Sequence, residues 1–373
     1  MSRRQLAGAV GATVGAAVLS KLGAGRAEAS LSRGQAPDFV QLNSNENPYG
    51  PSARALDAYV KTGPVTARYP DAIEDDVRDA VAKHHGVTSD RIVLGCGSSD
   101  ILRMADSAWL PPGRSVVAAE PTFEAVLLYA RVTNAEAVKV PLTADHRHDL
   151  PKMAAACSPK TGLVYVCNPN NPTGTIVGGD ELEDFFGKVP SSAIILVDEA
   201  YHHFVESPKY RTAVDAIAKH PNVVVARTFS KIYGMAGLRL GYAVATKENA
   251  EILQKNASWN NVNTSALAIA KASLADETHV PNERKRLNDT RRWLCAELDK
   301  DGRRYIPSET NFLMIHVGRD VAPLIGEFRG RKILVGRKFP SLGDWLRVSI
   351  GTQEETAKFL AALRQLVPAA KAA

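Results

Sequence analysis

Lys231 lies in the stretch TFSKIYGMAGLRLGY (228–242), with hydroxyls at Thr228 and Ser230 and a guanidinium at Arg239. An amine in such company can attack a carbonyl while its neighbours hold an anion. The preceding NVVVA (222–226) is apolar and β-branched and reads as a buried strand. Lys231 is therefore either a solvated cap on a strand end or part of a site.

Other strand-like runs end in comparable chemistry. RIVLG (91–95) enters CGSSD (96–100), where backbone N–H groups at a helix start form an anion site, unless Ser98 or Asp100 merely caps the helix. SVVAAE (115–120) is followed by Phe123, which is either one wall for a planar ligand or ordinary core. GLVYVC (162–167) enters NPNNPTGT (168–175), a rigid turn whose amides, Asn171 among them, offer donors. AIILV (193–197) enters DEAYHHF (198–204). Asp198 there closes an apolar run, and a carboxylate so placed is costly without a cation or donor; Tyr201 can reach the same side. His202 and His203 have no third ligand at metal spacing and read as helix or loop surface. An anion cradle, an aromatic wall, an amide, a buried carboxylate with a phenol, and a lysine beside hydroxyls together suit one cofactor. Pyridoxal 5'-phosphate has the phosphate, the planar ring with a nitrogen to be kept protonated, and the aldehyde.

The elements that must position these residues alternate strand and helix from residue 38 onward. Strand-like runs at 91–95, 115–120, 136–142, 162–168, 193–199, 222–228 and 240–246 are separated by helical candidates at 99–110, 122–132, 179–189 and 212–220. Continuously apolar strands predict a largely parallel α/β sheet covered on both faces, with ligands at the strands' carboxyl ends. A helical region over 250–301, strands at 311–317, 332–337 and 344–350, and a helix over 354–367 predict a smaller α/β unit. The organisation read from the chain is a leader (1–29), an N-terminal segment packing with the small domain (30–65), a large cofactor domain (66–275) and a small domain (276–373).

Net charge over the 373 residues is +6, of which +3 falls in residues 1–29. No basic run interleaved with aromatics supports nucleic-acid binding. Cys96, Cys157, Cys167 and Cys295 lack metal or CxxC spacing and read as small buried residues. Residues 1–29 carry Arg3-Arg4, a small-apolar stretch from Leu6 to Leu19 and an Ala27-Glu28-Ala29 cleavage pattern. They read as a twin-arginine export signal, too short and Gly/Ala-rich for a stable membrane span, which places the protein in the periplasm or outside the cell. The alternative is a weakly structured extension on a cytoplasmic protein.

The chain resembles the class I/II, fold-type I pyridoxal-phosphate aminotransferases, in particular the histidinol-phosphate aminotransferase group. The resemblance runs from about Val40 to Val367 and rests on LNSNENPYGP (42–51), RYPD (68–71), PNNPTG (169–174), DEAY (198–201), TFSKIYGMAGLRLG (228–241), SETNF (308–312) and LRVSIGT (346–352). It implies a three-layer fold with a largely parallel central sheet. It also implies that Lys231 binds the cofactor's aldehyde and then moves the substrate's α-proton, and that Asp198 pairs with the ring nitrogen. Asn171 and Tyr201 donate to the ring's phenolic oxygen, and Phe123 stacks on the ring. Ser98, Ser99, Thr228, Ser230 and Arg239 hold the phosphate. Tyr69 reaches the phosphate of a neighbouring subunit, which implies a homodimer. Arg347 binds a substrate carboxylate or phosphate.

The chain departs from the group in two places. The segment 29–41 lacks the usual Pro-Tyr pair, and the arginine expected directly after the strand in LVGRKFP (334–340) is displaced, with Arg337 read as filling that role. Both bear on the substrate. The reading is therefore transfer of an amino group from histidinol phosphate, an aromatic or another amino acid to a 2-oxo acid such as 2-oxoglutarate. A pyridoxal-phosphate lyase or decarboxylase is the alternative, and a non-catalytic binding protein a third.

Overall fold

The computed structural model describes residues 38–368. The leader read over residues 1–29 lies outside the described residues, as does most of the altered segment that follows it. From Val40 the chain forms one compact unit.

Its strands are β1 (Val40–Leu42), β2 (Ile92–Gly95), β3 (Ser115–Glu120), β4 (Glu136–Pro141), β5 (Thr161–Cys167), β6 (Ile194–Asp198), β7 (Val223–Thr228) and β8 (Gly241–Val244). They are followed by β9 (Tyr305–Ile306), β10 (Phe312–His316), β11 (Ile333–Val335) and β12 (Trp345–Ser349). Among the described residues seven strands make the main sheet in the order β2-β8-β7-β6-β5-β3-β4. β3 to β7 pair in parallel, whereas β8 runs antiparallel to both of its neighbours. LGYAVAT is thus a buried strand of opposite direction, which begins at Gly241 beside Gly95 and the turn after β2 and runs back toward Ile92. EAVKVPL is a correction: β4 is the sheet edge, and only Val140 within it is buried. An edge strand has one covered flank, so its apolar residues are sparse.

Alternate residues of the central strands feed two apolar clusters. Val164, Val166, Ile195 and Val197 face one side with Leu182 and Phe185. Leu163, Tyr165, Ile194 and Leu196 face the other with Ile101, Leu102 and Met104 of the helix Ser98–Trp109. Covering both faces gives three layers, with the carboxyl ends of the parallel strands opening on one edge.

The remaining strands form two small sheets, β12-β10-β9 and β1-β11. The helical region read as 250–301 is three helices, Lys247–Lys255, Thr264–Leu274 and His279–Lys300. Residues 212–220 make only a short 3-10 turn, Ala213–Ala216.

Two further expectations are corrected. Cys96 is exposed, and Cys157 and Cys295 are only half-buried, whereas Cys167 is buried. His202 and His203 are half-buried, so the surface reading holds only in part. The helix His279–Lys300 covers their loop, with Asn288 Nδ2 donating to Phe204 O at 2.9 Å. Burial first, then neighbouring cationic groups, pushes both imidazoles well below their ordinary pKa.

Candidate active site

The carboxyl ends of β5, β6 and β7 place Cys167, Asp198 and Thr228 on one face, because residues two apart on a strand point the same way and the register aligns Cys167 with Asp198. These residues line a cavity of about 470 Å3. Lys231 enters it from the loop after β7, and its Nζ donates to Ser44 O at 3.2 Å. Burial foremost, with the charge of Arg347 next, lowers its pKa to about 8. About a tenth of its amine is then neutral and nucleophilic at pH 7, far more than for an ordinary lysine.

Asp198 is 2% exposed. Burial raises its carboxyl to about 6, against hydrogen bonds from Tyr165 and from the Ala200 N–H that favour the charged form. Tyr165 OH donates to Oδ2 at 2.9 Å and Ala200 N to Oδ1 at 3.1 Å. Tyr201, also buried, accepts from Asn45 Nδ2 at 3.1 Å, and burial holds its phenol protonated far above neutral pH.

The anion cradle is built at the turn after β2. The helix Ser98–Trp109 starts after Gly97 (φ 80°) without a side-chain cap, so the N–H groups there keep their donor capacity. Asp100 does not cap it; it accepts from Cys96 N at 3.1 Å and from Asn261 Nδ2. A Cβ at Gly97 would overlap the Arg239 guanidinium, so glycine is required both for the φ and for this approach. Arg239 donates to Ser230 Oγ at 3.2 Å and to Ala236 O at 2.9 Å rather than to a carboxylate. It has left-handed backbone (φ 58°), sparsely populated for a residue with a side chain. Ser98, Ser99, Thr228, Ser230 and Arg239 all line the same cavity. An uncapped helix start, hydroxyls and an arginine free of acid partners suit a phosphate. The buried carboxylate with its donors suits a protonated ring nitrogen, so the residues present fit pyridoxal phosphate.

From the small sheets, Arg347 on β12 reaches in. Its Nη1 donates to Asn171 Oδ1 at 2.7 Å and its Nη2 to Asn43 O at 2.9 Å, while buried Nε has no hydrogen-bond partner. Asn171 thereby keeps its Nδ2 as a donor. Arg337 also lines the cavity, at its exposed rim, where Nη2 pairs with Glu124 Oε2 at 2.7 Å. Phe123 lines the cavity while packing against the apolar cluster on that face, so both of its sequence readings apply.

Every site residue singled out in the sequence lines this cavity except Tyr69, which is 78% exposed elsewhere on the surface. Sequence reasoning missed the cavity roles of Asn43, Ser44, Asn45 and Glu46. Their signal was present in NSNEN, a dense polar run directly after VQL of β1. Nothing in the sequence sets Tyr165 apart from the apolar residues of β5 around it.

The family model for aminotransferase class I and II matches residues 37–363. The histidinol-phosphate aminotransferase of Moorella thermoacetica is 39% identical over 333 residues, 88% of this chain and 86% of that protein. The aromatic amino acid aminotransferase of Cutibacterium acnes is 36% identical over 328 residues, 88% of this chain and 92% of that protein. Among solved structures, the histidinol-phosphate aminotransferase of Sinorhizobium meliloti in complex with pyridoxal-5'-phosphate superposes with a TM-score of 0.83 at 26% identity, covering 88% of this chain and 90% of that one. The chain belongs to the class I and II aminotransferase family.

Proposed function

We propose that the chain moves an amino group from an amino donor, of the class spanning histidinol phosphate and aromatic amino acids, to a 2-oxo acid such as 2-oxoglutarate, with pyridoxal phosphate as cofactor. The observation that carries this reading is the sharing of one cavity by Lys231, Asp198 and the Arg239 cradle. The bound cofactor supplies an aldehyde for the amino group and a ring that takes up charge when a bond at the donor's α-carbon breaks. Lys231, with its lowered pKa, holds or releases a proton at Nζ near neutral pH, which suits a base acting at that carbon. Asp198 would stabilise a protonated ring nitrogen of the bound cofactor, and Tyr201 with Asn171 Nδ2 would donate hydrogen bonds to the ring's oxygen. Arg347 anchors an anionic group of the substrate, and Arg337 at the rim meets its far end.

Purified protein given pyridoxal phosphate should turn yellow, and borohydride should fix the cofactor on Lys231. Histidinol phosphate or an aromatic amino acid should then yield a carbonyl product only in step with glutamate formed from 2-oxoglutarate. Carbon dioxide release without glutamate would replace transfer by decarboxylation. A Lys231→Ala variant that still transaminates would overturn the assignment.

The reading includes a homodimer in which Tyr69 reaches the neighbour's phosphate site. Its support is the exposed apolar run of Tyr59, Val60, Val65 and Tyr69, a surface that a second subunit would cover. Sedimentation as a monomer would exclude it. Export is proposed from Arg3-Arg4 and the cleavage pattern at Ala27-Glu28-Ala29. Among the described residues no helix is long and apolar enough to cross a membrane. Fractionation of cells carrying the full chain and an Arg3→Lys, Arg4→Lys variant tests export; the same location for both would count against it.

A further inference from the structure

We propose that Tyr165 is a positioning residue for Asp198: its hydroxyl keeps the carboxylate ionised and oriented for a protonated ring nitrogen. The inference rests on the cofactor reading above and adds a residue that none of the sequence motifs singles out.

The geometry follows from strand register. Cys167 pairs with Asp198 and Tyr165 with Leu196, so Tyr165 and Asp198 are diagonal neighbours on one face of the parallel pair β5 and β6. A diagonal neighbour is too far for a short side chain but within reach of a tyrosine. The reach is made, with Tyr165 OH 2.9 Å from Asp198 Oδ2.

Tyr165 is fully buried, in a cluster otherwise made of residues such as Leu102, Leu163, Leu196 and Ala226. For packing alone a phenylalanine would serve there, without a hydroxyl to desolvate. The hydroxyl is compensated by Asp198. In return Asp198 has one donor on each oxygen, Tyr165 on Oδ2 and the Ala200 N–H on Oδ1, which fixes the plane of the carboxylate. Burial by itself favours the neutral, protonated carboxyl, and that form cannot pair with a protonated ring nitrogen. A donor that cannot itself carry positive charge favours the anion without competing with the ring for it.

The test compares two cofactors on the apo-protein by fluorescence titration. One is pyridoxal phosphate; the other is deazapyridoxal phosphate, whose ring has C–H in place of the nitrogen. Tyr165→Phe should raise Kd for pyridoxal phosphate about tenfold, the loss expected for one buried hydrogen bond to a charged group. It should change Kd for the deaza compound less than about twofold, because no ring nitrogen is there to sense Asp198. Equal weakening of both would mean that Tyr165 only packs, and no weakening of either would mean that the hydroxyl is idle; both overturn the proposal. If Tyr165→Phe does not fold, Tyr165→Leu is read by the same ratio between the cofactors, in which general damage cancels. Wild-type protein that binds neither compound would overturn the functional reading and this inference with it. Wild-type that binds both, with no cofactor-dependent ratio in the variants, would overturn this inference alone.

Discussion

Arg347 and Asn171 are 176 residues apart in sequence, yet Nη1 of one lies 2.7 Å from Oδ1 of the other. The contact joins β12 of a small sheet to the turn that ends β5 of the main sheet. It turns the Asn171 amide so that its NH2 remains to donate, and it holds the guanidinium in the cavity wall with Nε unpartnered.

Removing that guanidinium should damage substrate binding more than cofactor binding. Arg347→Met is expected to raise KM for the 2-oxo acid on the order of a hundredfold, the cost of losing one partner of a buried charged contact. Kd for pyridoxal phosphate should rise far less, severalfold at most, through the Asn171 amide that is no longer held. Steady-state kinetics beside a cofactor titration checks the split.

The lowered pKa of Lys231 predicts how the apo-protein takes up its cofactor. Only the neutral amine attacks an aldehyde, so the uptake rate of pyridoxal phosphate should rise with pH and level off above about 8, not above the ordinary lysine value of 10.5. Burial is the main cause and the Arg347 charge the next, so in Arg347→Met the midpoint should move up. Stopped-flow absorbance over pH 6 to 10 on both proteins reads this.

Glu199 follows Asp198 in sequence but points to the opposite face of the sheet. There it accepts from Arg227 Nη2 at 2.8 Å and Nε at 3.0 Å, and from Thr212 Oγ1 at 2.8 Å. Arg227 is 4% exposed and Glu199 1%. Arg227→Met leaves a buried carboxylate without its cation and should cost about 3–5 kcal/mol of stability, measured by urea unfolding.

Asp106 is buried beneath the helix Ala125–Val132, with Oδ1 unpartnered and Thr133 Oγ1 at 3.5 Å from Oδ2. Burial raises its carboxyl from 3.8 to about 7. The folded state thus holds a proton that the unfolded chain has released, so this group's contribution to stability is present below pH 4 and is lost as pH rises to about 7. Asp106→Asn should be more stable than wild type at pH 8 by on the order of 2 kcal/mol, with the advantage shrinking toward pH 4. Thermal unfolding at the two pH values decides it.

Most of the cofactor site was legible because its chemistry sits at strand ends, and strand ends are marked by a change from apolar to polar residues. NVVVA before TFSK and AIILV before DEAY carry that mark, as does GLVYVC before NPNNP. The direction of β8 and the edge position of β4 were not legible, since an apolar run does not report which neighbour it pairs with. The partial cover over His202 and His203 was hidden for a similar reason. It depends on the helix His279–Lys300, which begins some seventy-five residues later in the chain.

By itself the sequence determined the alternation of strand and helix, the apolar strands, and the residue types at their carboxyl ends. Those follow from local composition and period, which act over a few residues. Only the tertiary structure decided that Asp198 meets the cavity while Glu199 meets Arg227 and Thr212, that Asn43 to Glu46 join the cavity, and that Tyr165 reaches across to Asp198. These are consequences of register and of packing between segments far apart in the chain, and pairing energy between strands has no counterpart in either strand alone.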